Sequence, residues 1–275
     1  MFRPSRPARL KGLSLNRMIP NILTLLALCA GVTAIRYGLH GEWEKAVVAI
    51  AIAAVFDGLD GRVARLLRGT SKFGAELDSL SDFVGFGVAP ALLIYLWTMQ
   101  NAGGLGWVLV LLFPVCAALR LARFNTMAGA PDTPPFVHSF FIGLPTPAGA
   151  WIVLLPMIVW FQYPVAWLRH PLIASVFLVG VAFLEVSRLP TYSFKRVRVP
   201  HRYVLPMMLL VGVLAAFLVA EPWTTLGLLG LVYLASLPAS FRSFRRLRRQ
   251  SLLEAEALLK EQALLQEQAE TNEKG

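Results

Sequence analysis

The chain has 275 residues, of which 56% are hydrophobic and 15% charged, with a mean hydropathy of +0.61. That balance excludes an ordinary soluble domain and points to a membrane, because several apolar runs approach the ~20 residues needed to cross a bilayer. The net charge of +10 lies in short clusters between those runs; this fits the cytoplasmic excess of Lys and Arg in membrane proteins and argues against nucleic acid as a partner. Cys29 and Cys116 both sit inside apolar runs, where they read as packing residues rather than a disulfide, a zinc site or a nucleophile. No small-residue cleavage site follows the first apolar run, so it reads as a retained span.

Residues 1–18 form a basic arm carrying Arg3, Arg6, Arg9, Lys11 and Arg17 and no acid, expected to hold the N-terminus in the cytoplasm. A membrane domain follows over residues 19–240. Its first span opens at Pro20 and Asn21, with Thr24 close behind, and runs to about Ile35. The second starts near Trp43, and the third covers about Phe73 to Trp97. The fourth runs from about Trp107 to Leu121 and ends in A-L-R-L-A-R-F-N, which places Arg120 and Arg123 one turn apart at its cytoplasmic end. A Pro- and Gly-rich loop containing His138 leads to the fifth span, which ends near Tyr163. Three more follow, at about Pro171–Leu184, Tyr203–Ala220 and Trp223–Leu237. The tail, residues 241–275, is first basic and then rich in Glu, Gln and Leu. This spacing predicts an all-α bundle of about eight transmembrane helices with a polar cavity facing the cytoplasm. Both termini are then cytoplasmic, and the connections alternate between basic and non-basic as the positive-inside rule requires.

The most informative stretch runs from Asp57 to Asp82, D-G-L-D-G-R-V-A-R-L-L-R-G-T-S-K-F-G-A-E-L-D-S-L-S-D. On a helix, Asp57, Asp60, Gly61, Ala64 and Arg65 fall on one stripe, and on a second helix Gly74, Asp78 and Asp82 do the same. At ~1.5 Å per residue the two acidic faces reach similar depth in the bilayer. Carboxylates at that depth are costly unless a cation joins them. An all-oxygen donor set suits Mg²⁺ or Mn²⁺, and the glycines permit close approach of a bulky ligand. Arg65, Arg68, Gly69, Thr70, Ser71 and Lys72 make a basic turn between the helices, able to receive phosphate.

The same stretch, read as D-x2-D-G-x2-A-R-x8-G-x3-D-x3-D, resembles the signature of the CDP-alcohol phosphotransferase family of membrane enzymes, with no departure at any fixed position. P-N-I-L-T at Pro20–Thr24, A-L-R-L-A-R-F-N at Ala118–Asn125 and G-L-P-T-P-A at Gly143–Ala148 resemble the bacterial branch of that family that uses L-serine. The resemblance implies transfer of a phosphatidyl group from CDP-diacylglycerol to an alcohol with release of CMP, in a homodimer of the inner membrane. It implies that Asp57, Asp60, Asp78 and Asp82 bind divalent metal, as two ions, and that Asp82 is also the general base. Pro20, Asn21, Gly61, Ala64, Arg65, Ser71 and Gly74 would hold CDP-diacylglycerol.

For an acceptor such as L-serine, Arg120 and Arg123 are the candidate clamp on the carboxylate, since Arg grips carboxylates in a bidentate fashion. The plainer alternative makes them anchors at the membrane surface or phosphate contacts. His138 is a weaker candidate for the same mouth. Competing functions are a sister enzyme using choline, glycerol 3-phosphate or inositol, and a transporter or channel. The transporter would spread acids over several spans. A salt-bridge network of the aspartates with Arg62, Arg65 and Arg68 is the structural alternative, and a scaffold acting through arm and tail would leave the aspartates unexplained.

Overall fold

The computed structural model describes residues 15–67, 69–127, 140–187, 190–192 and 203–238. Most of the basic arm, Arg68, His138, the basic segment after residue 192 and the tail lie outside the described residues.

Helix α1 (Leu15–Leu39) and helix α2 (Trp43–Leu66) form an antiparallel hairpin. Its turn needs Gly41 at φ +72°, in the left-handed region that glycine enters without steric cost. Helix α3 spans Lys72–Trp97 and contains a π-helical segment at Phe83–Val88. Its start is fixed by Ser71, whose hydroxyl accepts a hydrogen bond from the Gly74 amide at 3.0 Å. Then come α4 (Gly103–Met127), α5 (Thr146–Gln162), α6 (Pro171–Val186), α7 (Val204–Ala220) and α8 (Pro222–Pro238).

Helices within Met18–Leu39, Lys72–Trp97 and Met99–Thr126 are long and apolar enough to cross a membrane; the last four helices are apolar but shorter. Large apolar side chains face outward all along the bundle. Helix α7 has no buried residue at all, with Leu205 79% and Val219 86% exposed. In water such a surface would drive aggregation, whereas hydrocarbon solvates it at no cost. The protein is therefore membrane-embedded. Inside, Ile50 of α2, Phe86 and Leu93 of α3, Phe113 of α4, Leu154 of α5 and Leu178 of α6 close one core. Without a hydrophobic drive between helices in lipid, close backbone approach matters. Gly31 of α1 meets Gly85 of α3 so tightly that a Cβ on Gly31 would stand 2.7 Å from the Gly85 Cα.

The two ends of the bundle differ. At the end where α2 begins and α3 finishes, Trp97 is fully buried and packs edge-to-face on Trp160. Arg169 sits over both rings and donates from Nε to the Trp97 carbonyl at 3.1 Å. The other end carries the aspartates.

Two expectations need correction. Helix α1 starts at Leu15 rather than Pro20, so Pro20 lies inside the helix and removes one intrahelical hydrogen bond there. Helix α4 continues to Met127, so Arg120 and Arg123 belong to its last turns rather than to its end. The all-α fold class holds, with one small strand pair added to the helices. Strands β1 (Phe140–Ile142) and β2 (Pro190–Tyr192) pair antiparallel, Phe140 opposite Tyr192 and Ile142 opposite Pro190. Strands this short carry no legible alternation.

Candidate active site

Helical phase brings the acids together as their spacing requires. Asp57 and Asp60 project from the end of α2 and Asp78 from the start of α3. One carboxylate oxygen from each lies within 4.8 Å of the others. Asp60 is only 5% exposed, and the Thr24 hydroxyl of α1 donates to its Oδ2 at 2.6 Å. Thr24 is held in turn through its carbonyl, which accepts from the Ser81 hydroxyl of α3 at 3.1 Å. Asp82, one turn deeper than Asp78, lies close enough for the charges of Asp57, Asp78 and Asp60 to act on it. The quartet thus divides into three converging carboxylates and one behind them.

A cavity of about 170 Å³ opens against this group. Pro20, Asn21 and Thr24 form its α1 wall, and Asp60, Gly61, Ala64 and Arg65 its α2 wall. The turn at Gly69, Thr70 and Ser71, followed by Gly74 and Asp78, closes the third side. All seven residues expected around the nucleotide lie on this one surface. Gly74 is fixed by sterics: a Cβ there would come within 2.9 Å of the Asn21 Oδ1 and 3.1 Å of the Ser71 Oγ. Ser71 is engaged as the cap of α3, so its hydroxyl has a structural duty besides any contact with phosphate.

Among the described residues, Asp60, Asp78 and Asp82 form no ion pair with Arg or Lys; the salt bridge found is Lys45–Glu42, at the other end of α2. Arg62 and Arg65 are exposed. Asp57, Asp60 and Asp78 gathered around one point, with Asp60 buried and neither Asp60 nor Asp78 in an ion pair with a described side-chain cation, fit a hard divalent cation. The donor set is all oxygen, which suits Mg²⁺ or Mn²⁺ rather than a soft metal.

The two arginines of α4 have different surroundings. Arg123 donates to the Val186 carbonyl at 3.1 Å and the Ser187 carbonyl at 3.3 Å, closing the C-terminus of α6. Arg120 donates from Nη1 to the Thr146 hydroxyl at 2.7 Å, while its Nε is buried with no hydrogen-bond partner among the described residues. Its charge is felt by Asp82 and by Glu185. Helices α3 and α4 are also tied by Ser79 and Asn125, whose Nδ2 donates to the serine hydroxyl at 2.9 Å.

The sequence pattern assigns no role to Glu185, Ser79 or Asn125, and none to Thr24 beyond its place in P-N-I-L-T. Glu185 carried a signal: it is the single acid in the apolar stretch of α6. Thr24 carried none, because its partner lies on another helix.

The sequence profile of the family described as CDP-alcohol phosphatidyltransferase matches residues 17–186, and that described as CDP-alcohol phosphatidyltransferase 2 matches residues 202–238. The chain is 38% identical over 243 residues to the CDP-diacylglycerol–serine O-phosphatidyltransferase of Mycobacterium leprae, covering 88% of this chain and 80% of that relative. It is 36% identical over 181 residues to the protein of the same name from Helicobacter pylori, covering 66% and 74%. With the Bacillus subtilis protein of that name it shares 32% over 179 residues, 65% of this chain and 92% of the relative.

Proposed function

Since the chain belongs to the CDP-alcohol phosphatidyltransferase family, we propose that it makes phosphatidylserine, transferring the phosphatidyl group of CDP-diacylglycerol to the hydroxyl of L-serine and releasing CMP. The observation that carries this reading is the convergence of Asp57, Asp60 and Asp78 within 4.8 Å beside the cavity walled by Gly61, Ala64, Arg65 and Gly74. The serine-using relatives, similar over most of the chain, support the choice of acceptor.

The residues divide the work. Gly61, Ala64 and Gly74 leave the volume that the cytidine and diphosphate occupy, and Pro20 and Asn21 bound it on the α1 side. Arg65 and Ser71 hold phosphate oxygens at the cavity mouth. Asp57, Asp60 and Asp78, with Asp82, would hold Mg²⁺ or Mn²⁺, as two ions. Metal bound there supplies positive charge that neutralises the diphosphate and favours CMP as a leaving group. Asp82 takes the proton of the serine hydroxyl as its oxygen bonds to the phosphatidyl phosphorus. The bond from that phosphorus to the bridging diphosphate oxygen breaks, and CMP leaves with the electron pair. No covalent enzyme intermediate is required. Arg120 receives the serine carboxylate; Arg123, committed to the end of α6, supports that region.

In the same reading α1 to α8 all cross the inner membrane with both termini in the cytoplasm. The arm at 1–18 and the tail at 241–275 flank the membrane domain at 19–240, and the protein works as a homodimer.

The test is CMP release by purified protein given CDP-diacylglycerol, Mg²⁺ or Mn²⁺, and L-serine, glycerol 3-phosphate, inositol or choline in parallel. Release should require L-serine and fall by about 10²- to 10⁴-fold in Asp82→Asn with CDP-diacylglycerol binding retained. Release with another acceptor instead would keep the chemistry and overturn the serine assignment.

A further inference from the structure

Among the described residues, Glu185 is the one buried acid that the reaction above does not use, and its setting is unusual. It is fully buried on α6, and neither carboxylate oxygen has a hydrogen-bond partner among the described residues. A buried carboxyl group left in that state costs free energy whether charged or neutral, so its persistence needs a reason. Helix α5 makes room for it: a Cβ on Gly149 would stand 2.5 Å from Glu185 Oε1. One turn earlier on the same helix, Thr146 holds the Arg120 guanidinium. Arg120 and Glu185 are near enough for their charges to interact, yet no ion pair within 4.0 Å joins them. The start of α5 therefore presents a cation and an anion about one helical turn, roughly 5 Å, apart along its axis. Each of the two has a buried polar atom left over. That is the complement of a zwitterion, whose own two charges are separated by a single carbon.

We propose that Glu185 is the receptor for the α-ammonium group of the amino-acid acceptor, opposite Arg120, which takes its carboxylate. This rests on the reading of L-serine as acceptor and gives that reading its specificity. Hydrogen-bonding both charged groups of an amino acid rejects alcohols that lack either one, because the unmatched protein charge would stay buried and unpaired. The Arg120 guanidinium also acts on Asp82, which puts the acceptor's charged end on the same side as the base.

The experiment measures CMP release by the full chain with L-serine and with 3-hydroxypropionate, which is serine without its amine. The wild-type protein should show a KM for 3-hydroxypropionate at least about tenfold above that for L-serine, the scale of one hydrogen bond to a charged group. Glu185→Gln should raise the KM for L-serine by a similar factor and leave that for 3-hydroxypropionate within about twofold, abolishing the discrimination. Equal increases for both acceptors would overturn the proposal in favour of Glu185 merely positioning Arg120. Unchanged values for both would overturn it outright. Wild-type protein that uses 3-hydroxypropionate as well as L-serine would do so too, without recourse to a variant that must fold. Absence of serine-dependent release from wild type, with release to another alcohol, would instead mark failure of the acceptor reading itself.

Discussion

Two charged regions share this bundle, and they are built on opposite plans. Where α2 meets α3, carboxylates of one sign are drawn together at the side of an open cavity. Where α4, α5 and α6 meet, the buried Glu185 and the half-buried Arg120 lie near each other yet form no ion pair. Folding alone favours neither. Like charges should separate and unlike charges should close into a pair. Each arrangement makes sense if something from outside completes it: a divalent cation in the first region, a small zwitterion in the second.

Removing metal tests the first region most severely. Chelation should abolish CMP release, and Mg²⁺ or Mn²⁺ should restore it while Ca²⁺-free buffer without either does not; release that persists after chelation would break the contrast at its root. In the second region, Arg120→Ala should raise the KM for L-serine by about 10- to 100-fold, the loss of a charge-assisted contact, with the KM for CDP-diacylglycerol little changed. A smaller effect is expected of Thr24→Val, which deletes the hydrogen bond to Asp60 Oδ2. An outer-shell change of this kind should weaken metal activation by about tenfold and leave serine affinity alone, read from metal titrations of activity. The smallest change belongs to Arg123→Ala. Loss of its contacts with the carbonyls ending α6 should lower the melting temperature by about 2–4 °C. An Arg123→Ala variant that loses serine affinity as Arg120→Ala does would erase the distinction between the two arginines.

How legible each region was in the sequence follows from its geometry. Asp57, Asp60, Asp78 and Asp82 lie on two helices joined by a short turn, so helical phase alone predicts which faces they share. The cavity walls were legible for the same reason, since Gly61, Ala64, Arg65 and Gly74 ride the same stripes. Asn21 and Pro20 entered through resemblance, and the tight contact of Asn21 on Gly74 supplies a steric account of their place. The meeting of Arg120 with Thr146 and Glu185 was not legible, because it depends on how three sequence-distant helices pack. Nor was the pairing of β1 with β2, or the left-handed Gly143 beside it at φ +81°, whose Cβ would strike the Glu185 carbonyl at 2.6 Å. Periodicity reports the face of a helix and is silent about its neighbour.

The π-helical turn at Phe83–Val88, directly after Asp82, has a consequence for how this protein tolerates change in length. Such a turn holds one residue more than an α-helical turn, and each residue of an α-helix rotates the face by about 100°. The segment therefore works as a gear between two halves of one helix, setting the angle of Asp78 and Asp82 against that of Leu93, Ile94 and Trp97, which are locked in the core. Deleting a single residue from it would leave every acidic side chain in the sequence and point the wrong flank of the helix at the cavity.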